Sequence, residues 1–183
     1  MTSDAPMLLI LDLDDTLIHA VEDASACGPD FQVGPYAVKR RPHLDAFLKS
    51  GARWSTLAFW STATDAYVEA VVARILPEGT APAFVWGRSR CSRRFDPETF
   101  EDVYLKDLKK IRRRGFALER TLIVDDTPSK VARQYGNAVY IPAFLGDPAD
   151  DVLPRLAAYL ATLRDSPNVR ILEKRGWLRS DNA

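Results

Sequence analysis

The chain has 183 residues, of which 46% are hydrophobic, and its 25 basic and 25 acidic side chains leave a formal net charge of zero. This length fits one domain that buries its own core, and the charge gives no overall attraction to nucleic acid or an anionic membrane. No apolar run approaches the length of a membrane span, and residues 1–6 fit no secretion signal. We therefore expect a cytoplasmic protein without membrane contact, in which Cys27 and Cys91 are reduced thiols rather than a disulfide.

The first predicted element is a strand over residues 8–13 that runs into acidic residues. Asp12 and Asp14 lie at its end, and Thr16 follows two positions later. An apolar run of this kind predicts a strand buried on both faces, and open α/β sheets place their ligand sites at the carboxyl ends of such strands. Asp-x-Asp alone is also typical of a solvated loop, so the interpretation depends on the rest of the chain.

The next segment is irregular and leads to a second strand. Residues 20–40 contain Gly-Pro turns and a two-stranded ribbon of 31–33 and 36–38, which predict a small flap. A helix is predicted over 43–50. The strand predicted over 53–60 ends at the hydroxyls of Ser61 and Thr62.

A helix over 65–76 and a strand over 83–86 come before a basic segment, Arg88–Arg94, within a mixed insert. This segment is either a solvated loop or a basic lip that guides an acidic, phosphorylated partner. An isolated Lys106 follows and opens a helix predicted over 106–114. Gly115 supplies the left-handed stop of that helix.

The last third of the chain repeats the pattern of a strand that ends in acids. The strand predicted over 121–124 leads into Asp125 and Asp126, and Thr127-Pro128 begins a short helix over 128–134. A strand over 138–141 and a helix over 150–163 complete the pattern. The tail, 165–183, contains large apolar residues that we expect to pack on the body of the protein.

Strands that alternate with helices predict an α/β protein with a Rossmann-like, mainly parallel sheet and helices on both faces. We expect a single domain with a core over 7–164, the flap insertion at 20–40 and no large cap. On a parallel sheet the acidic strand ends converge. Carboxylates, a hydroxyl and an ammonium group together are the inventory for phosphoryl transfer with Mg²⁺.

Several stretches in this order resemble the haloacid-dehalogenase superfamily, and within it the RNA polymerase II C-terminal-domain phosphatase-like branch, also called NLI-interacting-factor-like phosphatases. The resemblance covers about residues 8–163 and implies that branch's fold and phosphatase activity. The stretches that carry it are Asp12–His19, Lys39–Leu48, Arg88–Cys91, Tyr104–Leu108, Ile123–Pro128 and Phe144–Pro148.

The motif predicts an order of roles for its acids. Asp12, the first carboxylate to emerge from the strand, is the expected nucleophile, and Asp14 the expected general acid and base. The resemblance implies that Mg²⁺ is held by the Asp12 side chain, the Asp14 main-chain carbonyl and the Asp126 side chain. Asp125 is expected to orient Lys106 or a metal-bound water.

The remaining site residues are expected to support that chemistry. Thr16 is predicted to steady the loop that carries Asp14. Ser61 and Lys106 are predicted to hold the phosphoryl oxygens. The branch usually has a threonine where this chain has Ser61, so Thr62 is an alternative donor.

The small flap indicates the substrate class. A small-molecule phosphatase needs a cover that excludes water, whereas a flap of this size leaves the substrate itself to cover the site. We therefore expect a phosphorylated protein or peptide substrate, and we regard nucleic acid as the less favoured partner. The sequence does not indicate an oligomeric state.

Three alternatives stay open. A receiver domain has similar groups but not in this order. A non-catalytic phosphoprotein-binding or scaffold module could use the same fold, although both aspartates of the first motif are present. A phosphotransferase or nucleic-acid end phosphatase would use the same chemistry on another substrate.

Overall fold

A computed structural model of the chain describes residues 6–22, 28–98 and 100–179. The described strands are β1 (Met7–Leu11), β2 (Ile18–Val21), β3 (Phe31–Val33), β4 (Tyr36–Arg40), β5 (Ser55–Trp60), β6 (Val85–Trp86), β7 (Ser92–Asp96), β8 (Glu101–Leu105), β9 (Thr121–Asp125) and β10 (Ala138–Tyr140). The described α-helices are α1 (Leu44–Ala52), α2 (Asp65–Ile75), α3 (Lys109–Arg112) and α4 (Val152–Leu163).

A five-stranded sheet organises the fold, with strand order β10-β9-β1-β5-β6. All of its strand pairs are parallel. Strands β2, β4 and β3 form a separate antiparallel sheet, and β7 and β8 form a hairpin. The prediction of an α/β fold with a mainly parallel sheet is confirmed.

The central strand β1 is apolar throughout because it is buried on both faces. Successive side chains of a strand point to opposite sides of the sheet. Leu9 and Leu11 join the core that α1, α2 and α4 cover, whereas Leu8 and Ile10 join the core on the other face with Ile111 of α3. The sheet therefore lies between two apolar layers, as the sequence predicts.

The flap and the mixed insert differ from the sequence prediction. The segment after the first strand contains β2, which pairs with β4 and makes the predicted ribbon three-stranded. Residues 23–27 of this flap, including Cys27, lie outside the described residues, whereas Cys91 is a free, partly buried thiol.

The mixed insert forms the β7–β8 hairpin. Its first strand, Ser-Arg-Arg-Phe-Asp, has no alternation of polar and apolar residues to predict a strand.

The helix predicted over 106–114 is shorter than expected. Lys106 directly follows β8, and its backbone N–H donates to the carbonyl of Lys130 (2.8 Å). The side chain of Asp107 then accepts a hydrogen bond from the backbone N–H of Lys109 (3.0 Å), and α3 begins only at Lys109. The turn ends at Gly115 with φ of 89°, the left-handed conformation that the sequence predicts. This arrangement leaves Lys106 at the edge of the sheet instead of on a helix.

The tail packs against the body through its aromatic residue. Trp177 is buried, its indole N–H donates to the carbonyl of Tyr140 (2.9 Å), and its ring stacks on Tyr159 at 5.3 Å. Leu172 and Leu178 pack against the same core, whereas Ile171 is 78% exposed. The expected packing of the tail therefore holds for three of its four large apolar residues in 171–178.

Candidate active site

Three strand ends meet at one edge of the parallel sheet. Asp12 directly follows β1, Asp125 is the last residue of β9, and Ser61 directly follows β5. Because β1 lies between β5 and β9, its end is next to both of the others. The backbone N–H of Asp12 still donates to the carbonyl of Val124 (3.0 Å), so the sheet fixes where the Asp12 side chain starts.

A buried lysine joins two of these carboxylates. Lys106 Nζ lies 2.6 Å from Asp12 Oδ1 and 2.6 Å from Asp125 Oδ2, and all three side chains are almost completely buried. Burial raises the pKa of the Asp125 carboxyl above its usual range, and the charge of Asp12 adds to that shift while Lys106 opposes it. A buried ammonium group needs such partners, because an unpaired charge in the interior is costly.

Asp126 extends the cluster toward solvent. The Thr16 hydroxyl lies 3.3 Å from both Asp12 Oδ2 and Asp126 Oδ1, and it can donate to one of them at a time. Lys130 Nζ lies 3.6 Å from Asp12 Oδ2 and 3.7 Å from Asp126 Oδ1. Burial alone would lower the pKa of Lys130, but the neighbouring carboxylates raise it. Thr16 thus contacts the carboxylates directly, beyond its predicted part in steadying the loop.

Lys130 is a site residue that the sequence interpretation missed. It lies in the 3₁₀ segment Pro128–Asn137, four positions after Asp126. Asp126 precedes this segment, and the turn that begins at Pro128 brings the Lys130 ammonium group back toward its carboxylate. A lysine four residues after an acid at a strand end is the sequence signal that could have found it.

The carboxylates fit a hard divalent cation. Asp12, Asp125 and Asp126 each offer an oxygen, and these oxygens all lie within 4.8 Å of one another. A site with oxygen donors alone suits Mg²⁺. The ligand set predicted from the sequence, Asp12, Asp126 and the Asp14 carbonyl, shares two of these residues. The side chain of Asp125 is an addition to it.

Asp14 lies in a different environment from Asp12. Tyr67 of α2 donates its hydroxyl to Asp14 Oδ1 (2.8 Å), and Ser61 donates to Asp14 Oδ2 (3.1 Å). Burial raises the pKa of the Asp14 carboxyl, although these two hydrogen bonds oppose the rise. Burial and the nearby Asp14 charge also raise the pKa of Tyr67, so the phenol stays protonated and donates. Tyr67 was not predicted, because a half-buried tyrosine on an amphipathic helix carries no signal of a site.

The two hydroxyl residues after β5 have different positions. Ser61 is buried, and its Oγ also accepts from the backbone N–H of Ala63 (3.0 Å). Thr62 is partly exposed, and its carbonyl accepts from Arg88 Nε (2.8 Å). Ser61 is therefore the hydroxyl that the structure brings into contact with the acidic motif.

A buried arginine supports the loop of the first motif. Arg41 makes two hydrogen bonds of 2.8 Å to the carboxylate of Asp150, and it also donates to the carbonyls of Thr16 (2.9 Å) and Pro142 (3.1 Å). His19 Nδ1 lies 2.8 Å from Asp15 Oδ1, as a residue that buttresses the same loop would. Arg41 belongs to a stretch that carries the family resemblance, but no role is predicted for it.

The basic segment is largely engaged with its own surroundings. Arg88 lies over the ring of Tyr104 at 5.0 Å, and Arg90 lies over the ring of Trp86 at 5.7 Å. Arg93 pairs with Asp102 at 2.6 Å across the hairpin. These contacts favour a structural part for most of the segment over a free basic lip.

The fold and the site define a class of protein. A carboxylate at the end of the central parallel strand, paired with a buried lysine and adjoined by two further aspartates, is an arrangement for phosphoryl transfer. The family model for NLI interacting factor-like phosphatases matches residues 7–170. The chain belongs to the NLI interacting factor-like phosphatase family. The resemblance drawn from the motifs is confirmed, and with it the prediction of a phosphatase.

Curated relatives agree with that family, and a solved structure agrees with the fold. Nuclear envelope morphology protein 1 of Schizosaccharomyces pombe is 27% identical over 90% of this chain, which spans 34% of the yeast protein. The CTD nuclear envelope phosphatase 1 homolog of Caenorhabditis elegans is 29% identical over 89% of this chain and 69% of its own length. A solved structure of Fcp1, an essential RNA polymerase II CTD phosphatase, has the same fold, with a TM-score of 0.57 at 20% identity over 87% of this chain and 50% of that one.

The expectation of a cytoplasmic protein is wrong. The similar curated proteins from yeasts, worm and frog carry the nuclear envelope, and not the cytoplasm, in their names. The prediction rests on the lack of a long apolar run and of a secretion signal in residues 1–6, and neither of these identifies a compartment. No helix within the described parts of the chain is long and apolar enough to cross a membrane.

Proposed function

We propose that this chain is a Mg²⁺-dependent phosphomonoester hydrolase that acts on phosphorylated proteins through an aspartyl-phosphate on Asp12. One observation carries the proposal. The Asp12 carboxylate lies in a single buried cluster with Lys106 and beside Asp125 and Asp126. Burying such a cluster costs free energy. A site that stabilises the negative charge of a phosphoryl group requires charged groups of this kind.

Asp12 is the nucleophile in this proposal. A bond forms between a carboxylate oxygen of Asp12 and phosphorus, while the bond from phosphorus to the leaving oxygen breaks. Lys106 and Lys130 flank Asp12 at 2.6 and 3.6 Å. Their positive charge opposes the negative charge on the phosphoryl oxygens, which is the main requirement of phosphoryl transfer.

Asp14 handles the protons. It gives a proton to the leaving oxygen in the first step. In the second step a water oxygen bonds to phosphorus, the bond to Asp12 breaks, and Asp14 takes the proton of that water. The position of Asp14 outside the lysine cluster, held by the hydroxyls of Ser61 and Tyr67, supports this division of roles.

The metal and the phosphate donors complete the proposed site. Asp12, Asp126 and the Asp14 carbonyl would hold Mg²⁺, with Asp125 beside them. Three clustered carboxylates exceed the two nearby ammonium groups in charge, and a cation would balance that excess. Mg²⁺, when bound, would polarise the phosphoryl oxygens as a Lewis acid. Ser61, with Thr62 as its alternative, and Lys106 would donate to those oxygens, and Thr16 would hold the carboxylates in place.

A phosphoprotein is the proposed substrate class. The flap formed by β2, β3 and β4 is small, so a large partner must cover the site. The names of the relatives, which describe CTD phosphatases, support the same class. We also propose that the chain forms a single domain with a core over residues 7–164.

The test combines turnover with a binding measurement. Purified protein should hydrolyse an aryl phosphate with Mg²⁺, and EDTA should stop the reaction. Mg²⁺ at ten times its Kd should stabilise the fold by about 1.4 kcal/mol and raise the Tm by about 3 °C. Asp126→Asn should lose most of that shift. Asp151→Asn should keep it, because Asp151 is exposed at the start of α4 and makes no capping hydrogen bond.

The outcome separates the alternatives. Turnover that continues unchanged in EDTA, or a Tm that Mg²⁺ does not move, would contradict the metal-dependent mechanism. Tight phosphopeptide binding without any turnover would favour the scaffold alternative. Faster hydrolysis of a nucleic-acid end phosphate than of phosphopeptides would favour the nucleic-acid alternative.

A further inference from the structure

A groove of about 660 Å³ begins at Asp126 and runs along the tail. Its floor is apolar, with Tyr140, Pro142 and Trp177 among the lining residues. Its walls carry a concentration of positive charge that the neutral chain as a whole does not predict. The cationic lining residues are Arg155, Lys174, Arg175 and Arg179.

The only carboxylate that lines this groove among the described residues is Asp126, which belongs to the proposed metal cluster. The exposed positive charge of the groove therefore comes from Arg175 and Arg179 of the tail, and the lining reaches Asp126 at the reactive edge of the sheet. A protein chain bound at that edge has to continue over a neighbouring surface, and this groove is one such surface. Charge complementarity then requires acidic groups in the part of the chain that lies there.

The tail wall is a built part of the fold. Trp177 is anchored to the Tyr140 carbonyl and stacked on Tyr159, and Arg155 donates to the carbonyl of Leu178. Lys174 is buried, and its ammonium group donates to the carbonyls of Val169 (2.6 Å) and Leu172 (2.8 Å).

These contacts fix the backbone that presents Arg175 and Arg179, both of which are exposed. Arg175 pairs with Glu173 at 2.6 Å, but both side chains are largely exposed. Arg175 Nε and Nη2 both donate to the Glu173 carboxylate (3.0 and 2.6 Å), so an acidic ligand competes with Glu173 for Arg175 at the surface. The two arginines also lie beyond residue 170, where the match to the family model ends.

We propose that this groove binds acidic residues that flank the phosphorylated residue of a protein substrate, and so selects substrates with an acidic flank. The proposal rests on the proposed function, because it assigns the groove to the substrate of the same site. Arg175 and Arg179 are the specificity residues, and the apolar floor accommodates the aliphatic parts of the flanking side chains.

The experiment compares two labelled phosphopeptides that differ only in one flank, with three glutamates in one and three glutamines in the other. Binding is measured by fluorescence anisotropy, and kcat/KM is measured in parallel. Wild-type protein should bind the acidic peptide about three- to tenfold more tightly, which is the sum expected from a few exposed charge pairs. This preference should shrink at high salt, since screening weakens exposed pairs.

The variant Arg175→Gln/Arg179→Gln should bind the two peptides equally. A matched control is Arg53→Gln/Arg113→Gln, which removes the same charge from two exposed arginines that do not line the groove. The control should keep the wild-type preference. Moving the glutamates to the other side of the phosphorylated residue reports the direction in which the peptide lies.

The two proposals fail in different ways. Equal binding of both peptides by the wild type, or a preference that the groove variant retains, would overturn the groove proposal even if the protein hydrolyses both peptides. A preference that depends on Arg175 and Arg179 in a protein without turnover would uphold the groove and overturn the hydrolase mechanism.

Discussion

Asp12 and Asp14 are two residues apart in one motif but lie in opposite surroundings. Asp12 is buried against the ammonium group of Lys106, with Lys130 nearby. Asp14 is held by two neutral hydroxyl groups, from Ser61 and Tyr67, and burial raises its pKa. Asp12 therefore faces positive charge, whereas Asp14 faces neutral hydroxyl donors.

The difference supports the proposed division of two chemical roles within one short motif. Paired carboxylates can act as nucleophile and as acid when their surroundings push them toward different protonation states. Here β9 and the segment after it supply the surroundings of Asp12, and β5 with α2 supplies those of Asp14. The division therefore comes from the order of strands in the sheet and not from the motif itself.

The difference between Asp12 and Asp14 is tested most strongly by neutralising each carboxyl in turn. Asp12→Asn should lower turnover of an aryl phosphate by about 10³-fold or more, because the nucleophile is lost. Asp14→Asn should lower turnover nearly as far with a leaving group of high pKa but less with an activated one, since only the former needs a proton. Equal losses with both leaving groups in Asp14→Asn would contradict its role as the acid. Asp151→Asn is the control and should behave as the wild type.

Removal of the buried lysine tests the cationic side by stability. Lys106→Met leaves Asp12 and Asp125 without their shared partner in the interior, which should cost about 3 kcal/mol of unfolding free energy. Urea unfolding measures this change. Lys109→Met, on an exposed residue three positions later, should change the free energy by no more than about 0.5 kcal/mol. If Lys106→Met were as stable as Lys109→Met, the free energy of unfolding would not depend on the contacts of Lys106 with Asp12 and Asp125.

The Arg41–Asp150 pair supports the loop that carries both aspartates, and pH tests it. Burial would raise the pKa of Asp150, but the hydrogen bonds and charge of Arg41 lower it overall. A depressed folded-state pKa stabilises the protein above the ordinary value of about 4, and this stability is lost as the pH falls through the folded value.

Asp150→Asn should therefore cost about 2 kcal/mol near pH 7, with a smaller difference from the wild type below about pH 4. Urea titrations across that range measure it. Asp165→Asn is the matched control, since its pair with Arg164 is exposed and should be worth less than about 1 kcal/mol. A difference that does not change with pH would mean that the charge of Asp150 is not what stabilises the loop.

Tyr67 gives a finer test of the hydroxyl side. Tyr67→Phe removes one hydrogen bond to Asp14 and should lower kcat by about tenfold, with little change in KM for an aryl phosphate. The limb of the pH profile of kcat that reports Asp14 should move to higher pH, because the Tyr67 hydrogen bond lowers the pKa of Asp14. Tyr159→Phe, on α4, should leave both parameters unchanged. An unchanged pH profile in Tyr67→Phe would reduce Tyr67 to a packing residue.

Local pattern predicted much of the fold. The buried runs before Asp12 and Asp125 predicted the central parallel strands, because strands covered on both faces are apolar throughout. The hairpin of β7 and β8 was missed because β7 is polar or charged at four of its five positions and shows no alternation. The helix at Lys106 was predicted too long because the tertiary contact of its backbone with Lys130 is not visible in the sequence.

The residues of the site divide in the same way. Asp12, Asp125, Asp126 and Lys106 could be brought together from strand ends and family motifs, and the structure places them in one cluster. Tyr67 could not be assigned to the site from the sequence. A tyrosine on a helix can be half-buried by packing of its ring alone, without a hydrogen-bond partner in an active site. Predicting contacts between segments far apart in the chain requires the pairing of strands in the sheet. A single sequence indicates that pairing only indirectly.

The most direct measurement is the identity of the phosphorylated residue during turnover. The protein is mixed with excess phosphopeptide and Mg²⁺, quenched in acid within milliseconds, reduced with borohydride to mark any acyl phosphate, and mapped by peptide mass spectrometry. We expect the mark at Asp12, and none in Asp12→Asn. A mark at another residue, or steady turnover without any marked residue, would contradict the assignment of Asp12 as the nucleophile.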